Sequence, residues 1–554
     1  MLYILCKMKA SDLFVKCLEN EGVEFIFGLP GEENEDLMIS LSDSKIKFIT
    51  TRHEQGAAFM ADVYGRLTGK AGVCMSTLGP GATNLITGVA DADLDNVPIV
   101  AITGQGELSK QHKESHQFVD IVKAFSPFTK WNSTVVYPEI IPEVVRKAFK
   151  IAKLEKPGAT HIELPEDVAR KSVGDDVSPL RITPNPKFVP DDSEIAKAVD
   201  LLRNAKSPVI LAGNGVIRLD ASKELVGFAE KISVHVANTF MSKGVIPYEH
   251  PLSLFTLGMQ ARDYVMCNFD MADLVITVGY DIVEYSPSYW NPHKDKKIIH
   301  IGPDASEIDE CYRVDAELVG DVKFTLKRLA ELVDFRKANP YPMKLREFIV
   351  KEFEHFKESK DFPMKPQKII LDLRDAMAHE DILISDVGAH KIWIARMFPA
   401  YVPNKVIISN GFASMGIALP GAVAAKLAKP YRKVVAVTGD GGFLMNSQEI
   451  ETAKRLNLAF VVVVFSDGRF GLTSWKQKLH LKKEFGQKFN NPDFVKYAES
   501  FGAVGIRIEK ADDLLPALKK AIATDNVVVI EVPVDFDENF RLSEELEKDV
   551  CRRF

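Results

Sequence analysis

Two aspartates, Asp440 and Asp467, each follow an apolar run with the pattern of a buried parallel strand. The run 434–438 leads into Gly439-Asp440-Gly441-Gly442, and the run 459–465 leads into Ser466-Asp467-Gly468-Arg469. Glycines directly after a strand let backbone N–H groups approach an anion, and the helix that follows aims its positive end at the same turn. Two carboxylates beside such a turn suit Mg²⁺ that also holds a diphosphate. The alternative is an ordinary α/β turn with two solvated aspartates.

A third carboxylate, Glu54, opens the helix predicted after the strand at 47–51. A carboxylate at the first turn of a helix is commonly no more than a favourable partner for the helix dipole. By itself, therefore, the position of Glu54 indicates a helix start and leaves a chemical role open.

The elements that must position these residues form three α/β patterns, covering 1–185, 192–335 and 367–540. In each pattern short β-branched runs alternate with helical periodicity, which predicts a doubly wound parallel sheet. The stretch 172–191 is rich in proline and the stretch 336–365 is charged and helical, so both indicate linkers. We therefore expect an α/β protein of three doubly wound domains.

Composition narrows the function classes. A chain of 554 residues is too long to fold around a single hydrophobic core. Its net charge of −7 gives no reason to expect a nucleic acid or an anionic membrane as partner. No apolar run approaches the length of a membrane span, and the apolar stretch at the N-terminus is too short for a signal peptide. We expect a cytoplasmic protein whose six cysteines are reduced, with neither disulfide nor zinc: Cys6, Cys17, Cys74, Cys267, Cys311 and Cys551.

The pair of aspartates, with strand, turn, helix and strand between them, resembles the signature of thiamine diphosphate-dependent enzymes. That signature is Gly-Asp-Gly followed, after a gap of this size, by Asn-Asn or Asn-Asp, and here Ser466-Asp467 closes it. The resemblance implies that Mg²⁺ is held by the side chains of Asp440 and Asp467 and by the backbone carbonyl of Arg469. It also implies that the cofactor is bound by Gly388, Ala389, His390, Gly439, Gly441 and Gly442.

The segments 52–61, 65–73 and 79–85 resemble the pyrimidine-binding domain of acetohydroxyacid synthases. In that family the Glu matching Glu54 hydrogen-bonds N1′ of the cofactor's aminopyrimidine, which lets the 4′-amino group remove the thiazolium C2 proton. The family also implies that Met415 is the wedge that bends the cofactor, with its N–H on the pyrimidine. The Ala413 carbonyl would meet the 4′-amino group.

Two segments look like the catabolic, FAD-independent branch of the family. Ser115-His116-Gln117 matches the catabolic loop, which implies that Gln117 and His116 lie on the substrate side. The segment 279–291 also matches, with Asp281 where the biosynthetic branch has an Arg that grips the second oxoacid. These features argue against FAD in the central domain. The segments 240–244 and 257–260 keep features of other branches, so the question of FAD stays open.

The resemblance covers nearly the whole chain and implies an acetolactate synthase that uses thiamine diphosphate and Mg²⁺. Such an enzyme joins two pyruvates into 2-acetolactate and CO₂ at sites between the subunits of a homodimer or homotetramer. The enzymatic alternatives are a non-oxidative 2-oxoacid decarboxylase, a biosynthetic acetohydroxyacid synthase and a sulfoacetaldehyde acetyltransferase; the non-enzymatic one is a nucleotide-binding α/β protein. Trp475, where relatives commonly have Gln, and Asp281 leave the acceptor open, and the sequence does not reveal whether a regulatory subunit exists.

Overall fold

The structure, a computed structural model, describes residues 8–174, 176–258, 263–334, 339–544 and 551. Cys6, residues 259–260 and most of the tail 544–554 lie outside this part of the chain. The described residues contain three six-stranded sheets in which every strand pair is parallel, with helices in the connections. The α/β class with three doubly wound parallel sheets is therefore confirmed. Among the described helices, none combines the length and the apolar character that crossing a membrane requires.

The first sheet lies in the N-terminal third. In spatial order its strands are Lys47–Thr50, Phe25–Gly28, Gly72–Ser76, Ile99–Gln105, Ala159–Pro165 and Trp131–Thr134. A short antiparallel pair, Met8–Lys9 with Ser172–Val173, lies beside it. The α-helices are Ala10–Asn20, Glu35–Ser42, Glu54–Thr68, Gly79–Leu94, Ile121–Phe125, Ile141–Lys153 and Glu166–Arg170.

The second sheet lies in the middle third. Its strands are, in spatial order, Ser253–Thr256, Val236–Asn238, Pro208–Ala212, Leu274–Val278, Lys297–Gly302 and Ala316–Val319. The α-helices are Asp192–Asn204, Gly215–Arg218, Ser222–Ile232, Tyr264–Met271, Pro287–Trp290, Val322–Leu332 and Pro340–His355.

The third sheet carries the two aspartates. Its strands are, in spatial order, Val406–Ile408, Ile382–Ser385, Val434–Gly439, Val461–Ser466, Val528–Pro533 and Val504–Arg507. The α-helices are Pro366–Ala376, Ala389–Met397, Ala418–Ala428, Asp440–Asn446, Glu449–Arg455, Gly471–Leu481, Phe494–Ser500, Leu514–Ala523 and Glu538–Glu544. Strands Val434–Gly439 and Val461–Ser466 are direct neighbours, so the aspartates that follow them meet at one edge of the sheet.

The chain packs as two compact units that do not follow sequence order. The first unit contains Met1–Asn185 together with Gly411–Pro430 and Asn446–Leu456. The second unit contains Pro186–Asn410, Tyr431–Met445 and Asn457–Phe554. Two helices of the C-terminal third, Ala418–Ala428 and Glu449–Arg455, therefore belong to the same packing unit as the N-terminal sheet.

The structure corrects the expectation about cysteines. Cys267, on the helix Tyr264–Met271, forms a disulfide with Cys551, and their Cα atoms lie 5.2 Å apart. The pairing escaped the sequence reasoning because 284 residues separate the two cysteines and no local motif marks them. Among the described residues Cys17, Cys74 and Cys311 are buried thiols without a disulfide partner.

Candidate active site

Asp440 is the first residue of the helix Asp440–Asn446 and is buried. Its Oδ2 accepts hydrogen bonds from the backbone N–H of Asp467 at 3.1 Å and of Gly468 at 2.7 Å, and from Nδ2 of Asn491 at 2.7 Å. Its Oδ1 accepts one bond, from the Gly441 N–H at 2.9 Å. A carboxylate oxygen offers about two acceptor positions, so Oδ1 is the atom with room for a cation.

Asp467 lies beside Asp440, and the two carboxylates influence each other. Burial, followed by the negative charge of Asp440, raises the pKa of Asp467 to about 7, although the nearby Arg469 opposes this shift. Nε of Arg469 lies 3.4 Å from Oδ2 of Asp467. A pair of crowded carboxylates with hard oxygen atoms has the chemistry of a divalent cation site, because a cation relieves their repulsion.

His390 is the second residue of the helix Ala389–Met397, and burial lowers the pKa of its imidazole to about 3. The ring is therefore neutral at physiological pH and can donate through only one nitrogen. A Cβ built on Gly439 would lie 3.5 Å from Nδ1 of His390, so the histidine adjoins the turn that carries Asp440. Gly388 and Ala389 come directly before it, at the positive end of the same helix.

Buried polar atoms that lack a hydrogen-bond partner indicate whether a diphosphate and its metal would fit this site. Within the described part of the chain, Nε2 of His390 and Oδ1 of Asn491 are buried without a hydrogen-bond partner. A buried polar atom without a partner is costly, so such atoms call for a ligand. The described residues hold no group of three or more His, Cys, Asp or Glu side chains arranged to hold a metal ion, so a cation here would rely on two carboxylates and other oxygen atoms. The residues present fit a magnesium diphosphate.

Glu54 and its neighbours form a second set of residues, in the first unit. Glu54 is the first residue of the helix Glu54–Thr68; it is buried, and its Oε2 accepts a hydrogen bond from Nδ2 of Asn84 at 3.0 Å. A Cβ built on Gly81 would lie 3.4 Å from the other carboxylate oxygen. Glu54 is thus held from the helix Gly79–Leu94, whose glycine-rich start permits the close approach.

The loop with His116 and Gln117 is exposed and is held at its two ends. Gln117 adopts a left-handed backbone with φ of 55°. Its carbonyl approaches the backbone of Gly79 so closely that a Cβ on Gly79 would lie 2.6 Å from the oxygen. The other end is fixed because Nε2 of Gln105 donates to the Val119 carbonyl at 3.1 Å. Neither side chain contributes to a buried site within this chain.

Ala413 and Met415 also belong to the first unit. Ala413 has a left-handed backbone with φ of 57°, and Met415 is half-buried. The structure thus groups the predicted site residues into two sets: Glu54, Ala413 and Met415 in the first unit, and the aspartates with His390 in the second.

Two contact residues were missed by the sequence reasoning. Asn84 ends the run Gly-Pro-Gly-Ala-Thr-Asn and contacts Glu54, and Asn491 begins Asn-Pro-Asp-Phe and contacts Asp440. Both runs lie in motifs that the resemblance covers, but an amide side chain alone does not reveal which carboxylate it meets.

Trp475 has two kinds of surroundings. It is 5% exposed and packs in the core of the second unit, with Nε1 donating to Oγ of Ser543 at 3.2 Å. It also lines a cavity of about 300 Å³ together with Asp467, Arg469 and Asn539.

Comparisons with known proteins identify the family of the chain. Three thiamine pyrophosphate enzyme family models match the chain: the N-terminal binding domain at 8–124, the central domain at 195–329 and the C-terminal binding domain at 386–532. The chain is 35% identical to an acetolactate synthase of Bacillus subtilis, over 98% of this chain and 96% of that protein.

Two further relatives are also named acetolactate synthase. A probable acetolactate synthase large subunit of Methanocaldococcus jannaschii is 37% identical over 95% of this chain and 92% of its own length. A catabolic acetolactate synthase of Raoultella terrigena is 34% identical over 96% of this chain and 95% of its own length. Identity of this level along nearly the full length shows that the chain belongs to the acetolactate synthase family of thiamine pyrophosphate enzymes.

Proposed function

We propose that this protein decarboxylates pyruvate and joins the resulting two-carbon unit to a second 2-oxoacid, forming 2-acetolactate when the second substrate is pyruvate. The observation that carries the proposal is the buried Asp440 and the partly buried Asp467 next to it, with the unpartnered Nε2 of His390 on the helix that adjoins the same turn. It occurs in a chain that aligns from end to end with proteins named acetolactate synthase.

The residues of the second unit bind the anionic end of the cofactor. Oδ1 of Asp440, the carboxylate of Asp467 and the backbone carbonyl of Arg469 would hold Mg²⁺, and Nε2 of His390 would contact the diphosphate, whose negative charge favours protonation of that nitrogen. Gly388, Ala389, Gly439, Gly441 and Gly442 line this end. Support comes from the free acceptor position on Asp440, from the mutual repulsion of the carboxylates and from the unpartnered imidazole nitrogen.

The residues of the first unit act on the pyrimidine end. Glu54 exchanges a proton with the pyrimidine N1′, the Ala413 carbonyl accepts from the 4′-amino group, and Met415 supports the bent cofactor. When bound, thiamine diphosphate supplies the electron sink that loss of CO₂ from a 2-oxoacid requires. Support comes from the burial of Glu54 and its fixed orientation against Asn84.

The complete site is proposed to form between two copies of the chain, with Glu54 from one copy and the Mg²⁺ ligands from the other. A homodimer is then the smallest active form, and a homotetramer is a pair of such dimers. The helix Asp440–Asn446 supports this proposal, because its Leu444 and Met445 are 38% and 42% exposed. His116 and Gln117 lie in the same unit as Glu54, so they are proposed to face the substrate from the same copy.

The acceptor is proposed to be a small 2-oxoacid whose carboxylate is not bound by residue 281. Asp281 stands there, with its N–H donating to Oε1 of Glu284 at 3.3 Å and its Oδ1 accepting from the Val283 N–H. A carboxylate repels the carboxylate of an oxoacid, so this position cannot grip the acceptor as an arginine would. The central domain is proposed to work without FAD.

A product assay tests the function. The purified protein is incubated with pyruvate, with and without thiamine diphosphate and Mg²⁺, and acetolactate, acetaldehyde and CO₂ are measured. We expect one acetolactate per CO₂, dependent on both additions. Acetaldehyde as the main product would contradict carboligation and indicate a decarboxylase. A second assay offers pyruvate with 2-oxobutyrate or sulfoacetaldehyde, to identify the preferred acceptor or donor.

A further inference from the structure

A buried ionic cluster joins the helices Glu54–Thr68 and Gly79–Leu94 in the first unit. Arg66 is its centre: Nε lies 2.5 Å from Oδ1 of Asp62, and Nη2 lies 2.6 Å from Oδ2 of Asp95 and 3.4 Å from Oδ2 of Asp91. The three carboxylate side chains are fully buried, and the arginine side chain is 8% exposed. Buried charges of this kind persist only when their remaining hydrogen-bonding positions are also filled.

Two of these carboxylates fill the remaining positions with backbone groups from the C-terminal third of the chain. Oδ1 of Asp95 accepts the Gly411 N–H at 2.5 Å, and Oδ1 of Asp91 accepts the Ser414 N–H at 3.0 Å. Position 411 has no room for a side chain, because a Cβ there would lie 2.7 Å from the Leu94 carbonyl and 2.8 Å from Oδ1 of Asp95. The segment 411–414 is therefore pinned at both ends by one charged cluster.

The pinned segment contains a backbone conformation that its own residues do not favour. Ala413 has φ of 57°, a left-handed conformation that L-residues other than glycine adopt at a cost. Such a conformation persists when its surroundings impose it, and the two carboxylates flank Ala413 on either side. The cluster thus orients the backbone that carries the Ala413 carbonyl and leads to Met415.

We propose that Asp91, Asp95 and Arg66 are positioning residues that hold the Ala413–Met415 segment in the conformation the pyrimidine of the cofactor requires. This inference rests on the proposed cofactor role of Ala413 and Met415. None of the three charged residues touches the cofactor; they act through the backbone N–H groups of Gly411 and Ser414.

The same helix provides a matched control. Asp93 is half-buried, and its Oδ1 also accepts a backbone N–H, that of Ala159 at 2.9 Å. Its partner is a strand of the N-terminal sheet instead of the segment 411–414. Asp93→Asn therefore removes a half-buried carboxylate from the same helix and leaves the contacts of the segment 411–414 unchanged.

The test compares Asp91→Asn and Asp95→Asn with Asp93→Asn in the full-length protein with Mg²⁺. Each Asn keeps one oxygen, so it can satisfy either Arg66 or the backbone N–H, but not both. We expect the first two variants to need at least about tenfold more thiamine diphosphate for half-saturation, measured by fluorescence titration, and to keep a lower kcat at saturation. Asp93→Asn is expected to change neither quantity, although it lowers the melting temperature.

Two further variants separate positioning from folding. Gly411→Ala leaves every charge in place but pushes the segment away from Asp95, so it should weaken thiamine diphosphate binding in the same way. Adding Ala413→Gly to Asp95→Asn should recover part of the lost affinity, because glycine adopts a positive φ without external support. Two results together would overturn the proposal. The thiamine diphosphate concentration for half-saturation would follow the melting temperature across all variants, and the double variant would recover no affinity.

The outcome is independent of which product the enzyme makes. Cofactor titration of the unaltered protein and its variants tests the positioning role, whereas product analysis tests carboligation. An unaltered protein that binds thiamine diphosphate but releases acetaldehyde would contradict the proposed function and leave the positioning result standing.

Discussion

At the scale of single residues, the proposed chemistry depends on carboxylates that backbone N–H groups and amide side chains orient. Asp440 accepts three backbone N–H groups and one amide, and Glu54 accepts one amide. Hydrogen bonds to a charged acceptor are stronger than neutral ones, so these contacts hold the carboxylates firmly. Such residues should be sensitive to isosteric changes that leave the fold intact.

Glu54→Gln removes the proton-exchanging group but keeps the size of the side chain and its contact with Asn84. We expect turnover of pyruvate to fall by about 100-fold or more, the range typical of positioned acid–base groups. Circular dichroism and the melting temperature should stay close to those of the unaltered protein. Unchanged turnover would remove Glu54 from the activation of the cofactor.

Asp467→Asn removes one charge from the pair that is proposed to hold Mg²⁺. We expect the Mg²⁺ concentration for half-maximal activity to rise by about tenfold or more, because a neutral amide attracts the cation less strongly. Asp493→Asn is the control, since that aspartate caps the helix Phe494–Ser500 and has a more exposed side chain. Equal Mg²⁺ requirements in the two variants would contradict the proposed metal site.

At the scale of elements, the start of the helix Glu54–Thr68 is held by the helix Glu449–Arg455 of the same packing unit. Oε1 of Glu449 accepts the N–H of Arg52 at 2.9 Å and of His53 at 3.1 Å, and Oε2 accepts Oγ1–H of Thr452 at 2.6 Å. Glu449 is fully buried, and burial raises its pKa. The residues directly before Glu54 are thus oriented by a carboxylate from the C-terminal third.

Glu449→Gln tests this orientation. The amide offers one oxygen where the carboxylate offers two, so one of the hydrogen bonds is lost and the others become neutral and weaker. We expect kcat with pyruvate to fall by about three- to tenfold, an effect of about 1 kcal/mol, since the glutamate at 54 is displaced but not removed. Glu451→Gln, on the same helix and paired with Arg455, should leave kcat unchanged. A loss as large in the control would show that helix stability alone is responsible.

At the scale of the whole molecule, the disulfide and the buried histidines link stability to redox state and to pH. The Cys267–Cys551 bond joins two residues of the second unit that are 284 positions apart in the chain. Such a cross-link stabilises a fold mainly by restricting the unfolded chain, which in the chain-entropy description amounts to a few kcal/mol. His161 and His235 are buried in separate units and are neutral when folded.

Cys551→Ser should lower the melting temperature of the second unit, measured by calorimetry in the absence of reductant. Dithiothreitol should lower the melting temperature of the unaltered protein to the value of the variant and should have no further effect on the variant. Identical melting curves for oxidised and reduced protein would show that the bond does not restrain the unfolded chain.

Acid should destabilise the protein through these histidines. Burial lowers the pKa of His161 to about 3 and of His235 to about 4, from an ordinary value of 6.5. Below pH 6.5 the unfolded chain binds protons that the folded chain does not, so stability is lost as pH falls from 6.5 towards these folded values. The slope is up to about 1.4 kcal/mol per pH unit for each histidine. His161→Gln should show a shallower dependence of the unfolding free energy in urea; an unchanged slope would contradict this assignment.

Much of the fold was predictable because parallel strands are buried on both faces and appear as continuous apolar runs. The strand Val434–Gly439 begins where the run 434–438 begins, and the strand Val461–Ser466 begins two residues inside the run 459–465. The residues Gly79-Pro80-Gly81, a sequence typical of a turn, form the first turn of the helix Gly79–Leu94. Local pattern alone cannot distinguish a tight turn from the first turn of a helix.

The sequence by itself determined the fold class, the family and the types of residue at the site, because glycines and carboxylates after buried strands constrain local geometry and charge. Only the tertiary structure decided which groups meet. It paired Asp440 with Asn491, joined Cys267 to Cys551, and placed the segment around Ala413 on the carboxylates of Asp91 and Asp95. These contacts join residues 51 to 323 positions apart, where chain pattern carries no information and only packing and the pairing of buried polar groups select the partner.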